Sequence, residues 1–160
     1  ARGILPVPQP TFMYEFGDLY VRNLGHERSD RAYPLKTWLD EGHHPAASSD
    51  CPVCTVDPFI NLFTMITRAT NKGSVLGPEE RLTPEEAVHC YTWCGAYTQF
   101  AEGRRGTLEV GMQADIAVLS ADIFSIEPDA ILKTQADITL REGLPIFDRQ
   151  GEMAAASAAQ

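Results

Sequence analysis

The chain has 160 residues, 44% hydrophobic and 22% charged, which is the composition of a globular domain able to bury roughly 70% of its unfolded surface. Its 13 basic and 22 acidic residues give a formal charge of −9, which repels phosphate backbones and anionic headgroups and argues against nucleic acid or a membrane surface as partner. Residues 58–66 form the longest apolar run, broken by Asn61 and Thr64 and well short of the roughly 20 residues that span a bilayer; with no leader pattern at the start, a soluble, cytoplasmic protein is expected.

Residues 4–9 are a short apolar run cut by Pro6 and Pro8, the pattern of a buried or edge strand with few ladder partners. Phe12, Phe16, Leu19, Tyr20 and Leu24 follow helical spacing, and Gly25 stands where such a helix stops. His26, just beyond, reads as a solvated loop residue. Residues 35–40 predict one or two helical turns opened by Pro34 and closed before Gly42. Residues 43–50 are small and short, suiting a crowded strand that ends in an acid.

Asp57-Pro58 supplies an N-cap and a first-turn proline, and the residues that follow through Ile66 are apolar on nearly every face, so this helix is expected to be buried. Thr83-Pro84-Glu85-Glu86 is a capping box whose helix should run through Ala87, Val88, Tyr91, Cys94 and Tyr97 to Gly103. Near Arg105 the pattern changes. Residues 107–110, 115–119 and 137–140 read as short strands, and Glu142-Gly143 as the turn of a hairpin into residues 144–147. Residues 151–160, mostly Ala and Ser, have nothing to pack and read as a loose tail.

Strands alternating with helices, followed by a β-only segment, predict an α/β fold: βα units of a larger parallel sheet plus an appended β module. A closed eight-stranded βα barrel takes about 250 residues. The first hundred residues here supply two strands, which cannot bury both faces or close their edges. The chain is therefore expected to be part of a larger assembly.

Asp50 lies where a strand of small residues ends and a loop begins, the place where βα barrels collect catalytic groups. A carboxylate there can ligate a divalent metal and take a proton from a metal-activated water; the plainer alternative is an aspartate that caps a turn. Cys51-Pro52-Val53-Cys54 has the spacing of a redox pair ahead of a helix, but the flanking segments lack the sheet of a thioredoxin-like domain. A zinc site drawing on Cys51, Cys54, Cys90 and Cys94 is the other option for these thiols, against the simpler reading of core and loop cysteines. His43-His44 precedes the strand instead of ending it and reads as surface.

The order of motifs resembles the amidohydrolase superfamily, in particular its family-3 branch with the N-substituted formamide deformylase-like enzymes. The likeness covers residues 1–149. It rests on Pro8-Gln9-Pro10, Ser49-Asp50 with Pro52-Val53, Thr67-Arg68, Arg81-Leu82-Thr83-Pro84-Glu85-Glu86-Ala87, and Gly106-Thr107-Leu108-Glu109-Val110-Gly111 leading into Ala114-Asp115-Ile116-Ala117-Val118-Leu119. The resemblance implies the C-terminal part of a TIM-barrel (β/α)8 metal-dependent hydrolase plus the last strands of its β-sandwich. Residues 1–104 would be the last βα units, 105–149 the sandwich segment and 150–160 the tail.

By the same resemblance residues 4–9 would be the seventh barrel strand and 46–50 the eighth, which makes Asp50 a metal ligand and proton shuttle, with Gln9 and Arg68 beside the substrate. Read without the family, Gln9 is a loop amide and Arg68 a helix-end arginine paired with a local acid. Phe12 stands where relatives often carry a histidine. The His-x-His pair and the other histidine ligands of the family have no counterpart among His26, His43, His44 and His89.

The implied activity is hydrolysis of an amide or formamide C–N bond with a divalent metal ion, expected to be zinc. The rest of the metal site would come from an N-terminal portion or a partner chain, so the isolated chain is expected to be inactive. The rival expectation is a non-catalytic interaction module that pairs its exposed strands with another chain or with copies of itself.

Overall fold

A computed structural model describes residues 3–151. The expected tail falls outside the described residues except for Gly151. Chain order is α1 (Pro10–Leu24), α2 (His26–Asp30), α3 (Leu35–Asp40), α4 (Pro58–Thr67), α5 (Pro84–Tyr91), α6 (Trp93–Thr98), β1 (Ile116–Leu119), α7 (Pro128–Ile131), β2 (Ala136–Arg141) and β3 (Leu144–Asp148). Among the described residues no helix is long and apolar enough to cross a membrane.

The helix signals in the sequence act as expected at most starts. Pro10 opens α1, whose fixed φ suits a first turn, and Gly25 at φ 76 ends it. Asp57 caps α4 by accepting from the Phe59 N–H, and Thr83 and Glu86 close a reciprocal capping box on α5. His26 belongs to α2 rather than to a loop. The long helix expected from Thr83 to Gly103 is broken at Thr92, whose φ −116 and ψ −81 leave the helical region, and it ends at Thr98.

Residues 4–9 and 46–50 run side by side without forming regular strands, and the reason is covalent. The amides of Ala46 and Ser48 donate to the carbonyls of Pro6 and Pro8 at 3.0 and 2.9 Å, which is a parallel arrangement. The reciprocal donors would be the nitrogens of residues 8 and 10, and both are proline. Only half the ladder can form. The other edge of the second segment is held by the Ala47 amide donating to the carbonyl of Cys90 in α5 at 3.1 Å.

The core joins the two parts of the chain. Leu35, Phe59, Leu62, Phe63, Met65, Leu82, Ala87 and Cys90 pack in one cluster with Ile123 and Ile131 from beyond residue 105. At about 25 cal/mol per Å2 of buried apolar surface, such a cluster is the main source of stability. The β region is a three-stranded antiparallel sheet in the order β1-β2-β3. Val118 pairs with Ile138 and Arg141 with Leu144, and Glu142-Gly143, both at positive φ (53 and 80), make the tight turn that suits the strand twist. Residues 107–110 form no strand; Leu108 and Val110 are exposed.

Candidate functional site

Asp50 closes the extended 44–50 segment with a left-handed backbone at φ 53, a conformation that aspartate tolerates better than most residues. The turn continues through the Val53 amide, which donates to the Asp50 carbonyl at 2.9 Å. Asp50 is exposed, and among the described residues no side-chain hydrogen bond or ion pair engages its carboxylate. The loop it starts borders a cleft of about 420 Å3 lined by Glu15 and Phe16 of α1 and by residues 51–55.

Gln9 occupies the matching end of the neighbouring segment. The two segments run parallel, Pro8 is bonded to Ser48 through both the Ser48 amide and its hydroxyl, and Gln9 and Asp50 follow one and two residues later. The half-buried Gln9 folds its Nε2 back onto the Val7 carbonyl at 3.1 Å. Two residues on, the buried Thr11 amide donates to Asn61 Oδ1 at 2.9 Å, which pins the start of α1 to α4. Phe12 makes an edge-to-face pair with Phe16, with ring centroids 5.6 Å apart.

Arg68 departs from the expectation of a substrate contact. It is 1% exposed, takes a left-handed backbone at φ 59 as the C-cap of α4, and aims its guanidinium into the protein. Nε donates to the Leu76 carbonyl at 2.8 Å, Nη1 to Tyr33 at 3.0 Å, and Nη2 to Asp30 and Ala32 at 3.2 and 2.9 Å. Four of its five N–H groups are thereby committed to carbonyls, so it is a helix-end arginine whose partners are backbone rather than an acid. Burial lowers its pKa to about 10, opposed by the nearby charges of Glu80, Glu79 and Asp30.

Gly77 makes this close approach possible. A Cβ there would sit 2.1 Å from the Asp30 carbonyl oxygen, and its φ of 56 is one that side chains disfavour. Glu80, 8% exposed, completes the region by accepting from the Thr37 amide at 2.9 Å and from the Thr37 hydroxyl.

All four cysteines are free thiols, with Cys51 exposed and the others buried. Burial, with Glu15 and Asp50 nearby, pushes the Cys54 thiol up, the reverse of what a redox nucleophile at a helix start requires. Cys90 and Cys94 lie on α5 and α6, on opposite sides of the Thr92 break, and the neighbouring Cys94 thiol together with burial pushes the Cys90 thiol up. Cys51 and Cys54 thus do not share a site with Cys90 and Cys94 as a four-cysteine zinc centre would need: the group of potential metal ligands found on Cys94 is made with histidines.

His44 is the second departure from the sequence reading. His43 is exposed beside Glu41 at 3.7 Å, but His44 turns inward and packs edge-on against Trp93 and Tyr97, with ring centroids 5.0 and 4.7 Å away. His89 stacks on Trp93 at 5.1 Å. Ligand atoms of His44, His89 and Cys94 all lie within 4.8 Å of one another. The His89, Trp93, Tyr97 stripe at four-residue spacing was visible in the sequence and could have flagged this cluster; the partner from residue 44 could not be read without the fold.

Over residues 1–147 the sequence matches the profile of the amidohydrolase family. N-substituted formamide deformylase of Arthrobacter pascens is 27% identical over 150 residues, which cover 93% of this chain and 28% of that protein. An uncharacterized metal-dependent hydrolase of Pyrococcus horikoshii superposes with a TM-score of 0.63 at 28% identity over 76% of this chain and 25% of its own. A second, from Pyrococcus furiosus, gives 0.59 at 33% identity over 73% and 23%. The chain spans about a quarter of the length of these relatives. With a match that runs through nearly all of its described residues, from the paired segments before α1 to the last hairpin, the chain belongs to the amidohydrolase family.

Proposed function

We propose that this chain is the C-terminal portion of a metal-dependent hydrolase of amide or formamide C–N bonds, in which Asp50 is a metal ligand and moves the proton. The observation that carries this reading is the placement of Asp50: an exposed carboxylate with no partner among the described residues, at the end of a segment lying parallel to the one that ends at Gln9. A carboxylate that merely capped its turn would accept from a backbone N–H two or three residues on, as Asp57 does.

The residues present fit the metal as a single donor. One carboxylate cannot hold a divalent ion against water, so further ligands from outside this chain are needed. With a donor set of one carboxylate and histidines, zinc is the ion of choice; when bound, it lowers the pKa of a water and polarises the carbonyl under attack. Asp50 Oδ would accept the proton of the attacking water and return it to the leaving nitrogen. Gln9 would face the substrate, while Arg68 would act only by fixing the loops around α4.

Two assays test this. The 160-residue chain supplied with zinc should hydrolyse no N-alkylformamide; turnover that vanishes in Asp50→Asn would refute the need for outside ligands. Joined to a partner or N-terminal portion bearing histidine ligands, it should turn over, and Asp50→Asn should abolish that activity.

The interaction-module reading has its own support in the exposed apolar residues Leu144, Ile146 and Phe147 of β3, 69%, 65% and 48% exposed, an area that a partner could cover. Size-exclusion chromatography with metal analysis separates the two: a metal-bearing complex favours the hydrolase, and a metal-free oligomer the scaffold.

A further inference from the structure

We propose that His44, His89 and Cys94 form a binding site for a zinc-class divalent ion, with the fourth coordination position open to solvent beside His89. The proposal is independent of the role given to Asp50, which lies at the other end of the same extended segment.

Geometry carries it first. The three ligand atoms lie within 4.8 Å of one another. Tetrahedral zinc, with Zn–N of about 2.0–2.1 Å and Zn–S of about 2.3 Å, separates such atoms by about 3.3–3.6 Å. Atoms that lie within 4.8 Å of one another need to approach by no more than about 1.5 Å to reach that spacing. Nitrogen and thiolate sulfur together select zinc, cobalt or copper and reject magnesium and calcium, which demand oxygen.

The helix break carries it second. His89 and Cys94 are five residues apart, and on an unbroken helix they would point about 140° away from each other. The departure at Thr92 separates α5 from α6 and re-phases Cys94 toward His89.

The surroundings carry it third. The Trp93 ring stacks on His89 with an interplanar angle of 12° and meets His44 edge-on at 79°. Tyr97 stacks on Trp93 and also touches the edge of His44, so both imidazoles are oriented before any ion arrives. Neither imidazole makes a side-chain hydrogen bond among the described residues, which leaves their lone pairs available. Cys94 is fully buried, His44 half-buried and His89 exposed, so an ion has its entry on the His89 side. Once bound, it would clamp the 44–50 segment onto α5 and α6.

Cobalt(II) is the probe. The full chain, stripped of metal by a chelator, should take up one equivalent of cobalt, giving a thiolate-to-cobalt charge-transfer band and the intense visible bands of a tetrahedral centre. Zinc should displace the cobalt and raise Tm. Cys94→Ser should abolish the charge-transfer band. His89→Ala, at an exposed position where folding is safe, should weaken binding by about 100-fold or more, with far-ultraviolet circular dichroism unchanged. The Cys51→Ser/Cys54→Ser double variant should leave the spectrum as it is. Absence of stoichiometric uptake, a charge-transfer band that survives Cys94→Ser, cobalt affinity undiminished in His89→Ala, or a band lost in the double variant overturns the proposal.

Discussion

Arg68 and Asp50 both sit at the end of an element, both take left-handed backbones, and both belong to the motifs that carry the family likeness, yet the structure treats them in opposite ways. Arg68 is sealed in with carbonyls around its guanidinium. Asp50 stands exposed, with no bonded neighbour for its carboxylate among the described residues. A buried polar group with its hydrogen bonds satisfied holds a fold together, whereas an exposed one left unsatisfied at a loop junction is free to meet a ligand. The contrast separates a residue that the fold needs from one that it can do without.

The sharpest test is to remove the buried member. Arg68→Ala leaves four carbonyls without their donor, and we expect a loss of about 3–5 kcal/mol of stability, read by denaturant unfolding. If the loss is below about 1 kcal/mol, the hub is not structural. Next in size, Gly77→Ala drives a Cβ into the Asp30 carbonyl at a strained φ and should cost about 2–3 kcal/mol by the same measurement.

Thr83→Ala opens the capping box of α5 and should cost about 1 kcal/mol. The smallest expected effect is at the exposed member. Asp50→Asn keeps a residue that tolerates the left-handed backbone and should shift stability by no more than about 0.5 kcal/mol in thermal unfolding. A large destabilisation there would collapse the contrast and make Asp50 a turn cap after all.

Much of the fold was legible because local chemistry decides it. Gly25, Asp57-Pro58 and the Thr83 capping box each satisfy or end a helix within a few residues of themselves, and the Glu142-Gly143 turn fixes its hairpin. The misreadings concern contacts made over long distances in sequence. Nothing near Thr92 announces a break after α5, and the alternation of polar and apolar residues over 107–110 indicated a strand, although none of the described strands pairs with them.

The candidate site was legible in position and less so in content. Asp50 at a segment end follows from the run of small residues before it. The surroundings of Arg68 could not be read because three of its partners, Asp30, Ala32 and Tyr33, lie more than thirty residues away. His44 was misread for the same reason: its aromatic neighbours come from α6.

The alternating prolines have a consequence for how the Asp50 segment is secured. Residues 6, 8 and 10 carry no amide hydrogen, so on the side facing residues 44–50 this stretch can only receive bonds. Its amides, on Leu5, Val7 and Gln9, belong to the opposite edge. Isotope-exchange measurements would therefore be blind at the prolines, and the grip between the two segments would be reported by the protection of Ala46 and Ser48 alone.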